Sequence, residues 1–282
     1  MRTSEEIMKL IIDFANSDER VRIVGMEGSR ANVNILKDEF QDFDITYFVN
    51  DISEFTKSDE WLSYFGNIIM MQKPEDMELF PAEFEGYSYL MLFDDYNKID
   101  LTLLEKRHIS YYLKQDKLRT ILLDKDGDIK QEVLATDVDY WIKKPSARSY
   151  DDCCNEFWNI TSYVAKGLCR KEILFAIDHL HLMRNELLRM ISWKVGLEYG
   201  FHFSVGKNYK FINKYISKEL WGELLSTYCQ GSYEMMWEAL LQCCVIFRKV
   251  AEECANFFGY EYPIYDKNIS KYVMDMFEKH GK

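Results

Sequence analysis

A strand that begins Asp42-Phe43-Asp44 can exist in only a few kinds of sheet. Residues 42–49 are rich in β-branched and aromatic side chains and read as a strand. Side chains alternate between the faces of a strand. Asp42 and Asp44 are therefore expected on one face, and Phe43, Ile45, Tyr47 and Val49 on the other, in a core. Two aligned carboxylates repel each other unless positive charge lies between them. A hard divalent cation answers that need, and Mg²⁺ suits carboxylates used together with phosphate oxygens. Residues 21–27 read as a preceding strand, with Gly28-Ser29-Arg30 as the turn after it. Gly28 lets backbone approach a ligand closely, and Ser29 offers a hydroxyl and an N–H to a phosphate. A third acid, Asp100, alternates with Ile99, Leu101 and Leu103 in a strand over 98–104. The pattern predicts one site, on an open sheet face, that holds a metal and a triphosphate together.

The rest of the chain divides by its periodicity. A capping box at Thr3 and Glu6 opens an amphipathic helix over 4–16, with Ile7, Leu10, Ile11 and Phe14 as its stripe. A short helical piece is expected at 58–64, a strand at 67–72 and a loop over 73–86. Segments 87–93 and 98–104 read as a hairpin turning at 95–97. A helix over 109–115 and a strand over 119–123 follow. The turn 124–128 is no calcium loop, because its Gly is misplaced and the distal Glu is missing. Lys143-Lys144-Pro145 marks a boundary, giving domains 1–145 and 146–282. Beyond it the pattern is helical. Ser149 is expected to cap a helix with Asp151 and Asp152 in its first turn. Further helices are expected at 171–194, 211–216, 218–228, 233–258 and 270–280, with a loop over 200–210. The fold class is therefore α+β: a mixed sheet with flanking helices, then a helical bundle.

Charge narrows the partners. The formal net charge is −12, which argues against a nucleic-acid substrate and favours small or cationic ligands. No apolar run reaches the length of a membrane span, so no membrane partner is expected. Seven cysteines, two pairs of them adjacent, suit neither a disulfide framework nor zinc spacing. Reduced thiols, and with no signal peptide a cytoplasmic location, are expected.

Gly28-Ser29, the Asp42-x-Asp44 pair on the next strand and Asp100 on a later one together resemble the nucleotidyltransferase superfamily signature. With Lys98-Ile-Asp-Leu101, Ala176-Ile-Asp-His179 and Gly206-Lys-Asn-Tyr-Lys210 added, nearly the whole chain resembles the aminoglycoside 6-adenylyltransferase family. The resemblance implies transfer of AMP from ATP, the co-substrate, to the 6-hydroxyl of streptomycin, with pyrophosphate released and the antibiotic inactivated. It implies Asp42, Asp44 and Asp100 as catalytic residues and Mg²⁺ ligands. Gly28, Ser29 and Arg30 would contact the nucleotide, joined by Lys207 and Lys210. Asp178 would bind the guanidinium groups of the drug, with Asp152 and Glu156 sharing the task and Trp158 stacking on a cation.

Read from the residues alone, several of these roles stay open. Asp100 is placed either as the base for the attacking hydroxyl or as a metal ligand, and one role does not exclude the other. Asp178 has apolar neighbours, Ile177 and Leu180, and an ion pair with Arg184 or Lys171 would satisfy it. A Trp on a helix is more often core. The same chemistry directed at another small-molecule or protein hydroxyl, or a non-catalytic binding module, are the alternatives; three retained acids weigh against the last. A monomer is expected.

Overall fold

Thr3 caps the first helix, α1 (Ser4–Ser17), through a capping box in which its side chain accepts from the Glu6 N–H. The helix buries Ile7, Ile11, Phe14 and Ala15 against a sheet. The structure, a computed structural model, describes residues 1–82 and 85–281. Residues 83 and 84 of the expected 73–86 loop, and residue 282 of the expected second domain, lie outside the described residues. Two compact units divide at 139/140. The sequence placed the boundary at 145/146. Ile142 belongs to the helical core, and its N–H donates to the Phe203 carbonyl at 3.0 Å.

In the first unit, six strands pair in the order β3-β4-β5-β2-β1-β6. They are β1 (Val21–Glu27), β2 (Phe43–Val49), β3 (Ile68–Gln72), β4 (Tyr87–Phe93), β5 (Lys98–Glu105) and β6 (Arg119–Asp124). A single turn, α2 (Gly28–Ala31), separates β1 from β2; a second, α3 (Ser53–Thr56), follows β2. A 3₁₀ turn over Glu60–Phe65 stands where a helical piece at 58–64 was expected. The chain's α4 (Ile109–Gln115) lies between β5 and β6.

Alternation sorts the strand residues as expected. Phe43, Ile45, Tyr47, Ile99, Leu101 and Leu103 are buried in the α1-facing core. Each such side chain contributes roughly 1.5–3 kcal/mol by leaving water. The buried Tyr47 hydroxyl is satisfied, donating to the Ile11 carbonyl at 2.6 Å. On the opposite face, Phe48 and Leu104 pack with Ile23 beneath Tyr112 of α4. That helix covers one end of the face. Asp44 and Asp100 occupy the same face at the other end.

The second unit is helical: α5 (Ala147–Cys169), α6 (Ile173–Tyr199), α7 (Lys218–Ser226), α8 (Tyr233–Phe258) and α9 (Asp266–His280). Ser146, not Ser149, caps α5. Its Oγ accepts from the Ser149 N–H at 3.1 Å, and Ser149 Oγ returns the bond at 2.9 Å. Phe157 stacks on Phe247 at 3.7 Å between centroids, beside the buried Trp158 and Trp237. Arg248 and Asp266 join α8 to α9 with bonds of 2.5 and 2.7 Å, and Ser270 and Tyr262 satisfy the same carboxylate. No described helix is long and apolar enough to cross a membrane. All seven cysteines are free, five of them buried.

Candidate active site

β2 and β5 run parallel, in a register that sets Asp44 opposite Asp100. Asp42 lies one residue before β2, not inside it as the sequence suggested. Lys98 Nζ bridges from β5 to this acid, 3.2 Å from Asp42 Oδ2 and 2.6 Å from Asp100 Oδ2. The other Asp100 oxygen, Oδ1, is buried without a hydrogen-bond partner. Burial pushes the Asp44 carboxyl up to about 6, and the nearby charges of Asp100, Asp42 and Glu27 push the same way against the pull of Lys98.

Gly28 follows β1, which pairs antiparallel with β2 and brings its end to Asp44. Its φ is +66°, and a Cβ there would run into Asp44 Oδ2. Glycine is required on both counts. The α2 turn is pinned by Lys37, whose ammonium donates to the carbonyls of Ser29, Arg30 and Asn32 at 2.9, 2.6 and 2.7 Å. Ser29 is half-buried beside Gly28. Arg30, expected to contact nucleotide, has its guanidinium bonded within the chain. It donates to the carbonyls of Asp42 at 3.0 Å and Gln41 at 2.6 Å and lies over the Phe43 ring at 3.6 Å. A third bond, to Ser4 Oγ at 3.0 Å, ties the same guanidinium to α1. Behind Asp44, Glu27 accepts from Thr46 Oγ1 at 2.6 Å and faces Arg119 at 3.5 Å. A cavity of about 410 Å³ opens beside Asp42 and Lys98, with Phe40 and Tyr96 in its wall.

Among the described residues, no three His, Cys, Asp or Glu side chains are grouped to hold a metal as they stand. The Lys98 ammonium lies between Asp42 and Asp100. The donor set nevertheless fits a hard divalent cation: three carboxylates at one end of one sheet face, one with a buried oxygen that has no hydrogen-bond partner among the described residues and one whose proton is held by burial and like-charged neighbours.

The helical unit treats its expected residues differently. Trp158 is 1% exposed, packed edge-on to Phe157, and the cation above it at 5.5 Å is Arg248 of this chain. It is core and offers no face to a ligand. Asp178 is exposed and forms no ion pair among the described residues: Arg184 lies on the buried face and donates to the Thr227 carbonyl at 2.7 Å, and Lys171 sits over Tyr233. Asp152 and Glu156 are exposed on α5, Asp152 paired with Arg148 at 3.0 Å. α5 and α6 run antiparallel, with Cys153 level with Glu186 and Tyr163 level with His179. At about 1.5 Å per residue, Asp178 stands roughly 16 Å along the helix pair from Asp152 and roughly 10 Å from Glu156. Lys207 and Lys210 are exposed on the loop after α6, where Asn208 and Tyr209 have positive φ. A cavity of about 630 Å³ beside that loop is walled by Lys143, Lys144, Arg189 and Trp193, and by neither of those two lysines.

Two contributors escaped the sequence reading. Lys98 had a signal, since it lies two residues before Asp100 and so shares its face. Lys37 had none.

The chain matches the model of the streptomycin adenylyltransferase family over residues 1–276. It is 55% identical to an aminoglycoside 6-adenylyltransferase of Campylobacter jejuni, over all of this chain and 98% of that protein. It is 51% identical to an aminoglycoside 6-adenylyltransferase of Bacillus subtilis (strain 168), over 97% of each. A crystal structure of an aminoglycoside 6-adenyltransferase from Bacillus subtilis is 47% identical, covering 98% of this chain and 99% of that one, with a TM-score of 0.49.

Proposed function

The chain belongs to the streptomycin adenylyltransferase family, and from that membership we propose that it transfers AMP from ATP to the 6-hydroxyl of streptomycin, releasing pyrophosphate. The observation that carries this reading is the convergence of Asp44, Asp100 and Asp42 at one end of one sheet face, beside the Gly28 turn. Asp42, Asp44 and Asp100 would hold Mg²⁺, which neutralises charge on the triphosphate. Gly28 keeps the backbone low beside Asp44, and the Ser29 hydroxyl and N–H are offered to a terminal phosphate. Asp100 has two oxygens and can both hold the cation and take the proton from the acceptor hydroxyl, once that hydroxyl is within hydrogen-bond reach. Arg30 fixes Asp42 through the backbone.

On the helical unit, the exposed carboxylates Asp178, Asp152 and Glu156 are assigned to the guanidinium groups of the drug. The exposed Lys207 and Lys210 are assigned to the phosphates. These assignments draw on the family resemblance together with exposure. An acidic chain also suits a cationic acceptor.

The test is mass spectrometry of streptomycin after incubation with the protein, ATP and Mg²⁺. Streptomycin carrying one added AMP, with stoichiometric pyrophosphate, is the expected product. Adenylylation of a different aminoglycoside in its place would reassign the acceptor. Absence of any adduct across an aminoglycoside panel would overturn the reading.

A further inference from the structure

Lys98 stands where the three acids converge. It precedes Asp100 by two residues on β5, so it projects from the same face. The β2–β5 pairing begins at Phe43 and Ile99, which sets Lys98 level with Asp42 at the entry to β2. Its ammonium meets one oxygen of each acid. Those are oxygens that a bound divalent cation would need. Two positive charges cannot use the same lone pairs, so the ammonium and a divalent cation compete for these oxygens. The Lys98 side chain is 34% exposed, so it has a path out. A lysine's flexible stem and compact charge suit exchange between partners, whereas a guanidinium would lock both acids.

We propose that Lys98 is a displaceable counter-ion, which holds Asp42 and Asp100 until a nucleotide-bound divalent cation arrives and then gives its ammonium to the phosphate oxygens. This rests on the metal and nucleotide assignments made above. It has a thermodynamic consequence. A metal ion arriving alone must break two ion pairs and leaves the ammonium without a new acceptor. A metal ion arriving with a triphosphate supplies that acceptor. Metal and nucleotide therefore bind cooperatively, each tightening the other by the same factor, and Lys98 carries the coupling.

The test measures Mn²⁺ binding to the intact protein, by electron paramagnetic resonance of free Mn²⁺, with and without α,β-methylene-ATP. Wild type is compared with Lys98→Met, Lys98→Gln and Lys98→Arg, each checked for folding by circular dichroism and thermal melting. In wild type, Mn²⁺ alone binds weakly and the nucleotide analogue tightens it. In both neutral variants, Mn²⁺ alone binds about tenfold tighter, the scale of losing two partly exposed ion pairs, and the gain from the nucleotide shrinks by a similar factor. Lys98→Arg keeps the weak binding of the metal alone. Neutral variants that bind Mn²⁺ no tighter than wild type, with the nucleotide gain unchanged, overturn the proposal. If no form, wild type included, binds Mn²⁺ under either condition, the metal site itself is refuted and the role of Lys98 falls with it.

Discussion

Asp44 faces Asp100 across the parallel β2–β5 pair, and burial together with the Asp100 charge raises the cost of ionising Asp44. The Asp44 carboxyl is lifted to about 6 from an ordinary value of 3.8, so the folded protein holds this proton more tightly than the unfolded chain. Stability from this group is present below the unfolded value and is lost as pH rises through about 6.

Asp44→Asn removes that penalty and the metal ligand together. Turnover is expected to fall at least about a hundredfold. At pH 7 the metal-free variant should be as stable as wild type or more stable by about 1–2 kcal/mol, with the difference gone near pH 4. Urea unfolding of both proteins at the two pH values checks this. A variant less stable than wild type at pH 7 would refute the cost of ionising Asp44 in the fold.

Affinity for divalent metal should weaken as pH falls below about 6, because Asp44 must release its proton to become a ligand. The slope approaches a factor of about ten per pH unit if one proton is displaced. Calorimetric Mg²⁺ titrations at pH 5.5, 6.5 and 7.5, in the presence of the nucleotide analogue, measure it. A flat profile across that range would show that Asp44 does not bind the ion.

Gly28→Ala places a Cβ against Asp44 Oδ2 and forces a side chain into a left-handed backbone conformation. The strain alone costs about 1 kcal/mol or more. The displaced Asp44 should reduce kcat/KM by about a hundredfold, because small misplacements at a reacting centre are amplified. Steady-state kinetics alongside the urea midpoint distinguishes the two effects.

Asp178→Asn should weaken streptomycin binding by a factor of about three to ten, the usual weight of an exposed charge, and leave ATP binding as it was. Isothermal titration with each ligand separates the outcomes. Equal loss for both ligands would take Asp178 out of the drug's reach.

Short-range pattern made much of the architecture legible. Alternation located β1, β2, β4 and β5, and a 3.6-residue stripe gave α8 with both of its ends at Tyr233 and Phe258. The acids Asp44 and Asp100 announced themselves as polar residues among core-facing neighbours. What stayed hidden depends on contacts between distant parts of the chain. Local spacing cannot show that an ammonium from β5 reaches Asp42, that Lys37 clasps two carbonyls of α2 and the one that follows it, or that Arg30 is occupied with Gln41 and Asp42. Trp158 and Asp178 illustrate the same limit. Both sit on amphipathic helices, and the packing of α8 and α9 against α5 buries the first, while the turn of α6 leaves the second in water.

The pairing of β2 with β5 also sets when the site comes into being. The whole excursion through β3 and β4 intervenes between these two neighbours, so their closure is a long-range event with a high entropic cost. A nascent chain that has completed β2 carries Asp42 and Asp44 with β1 on one side and no strand yet on the other. Competence thus arrives in one step, when β5 docks, and a fragment ending before residue 98 is inert however well its helix and first strands have formed.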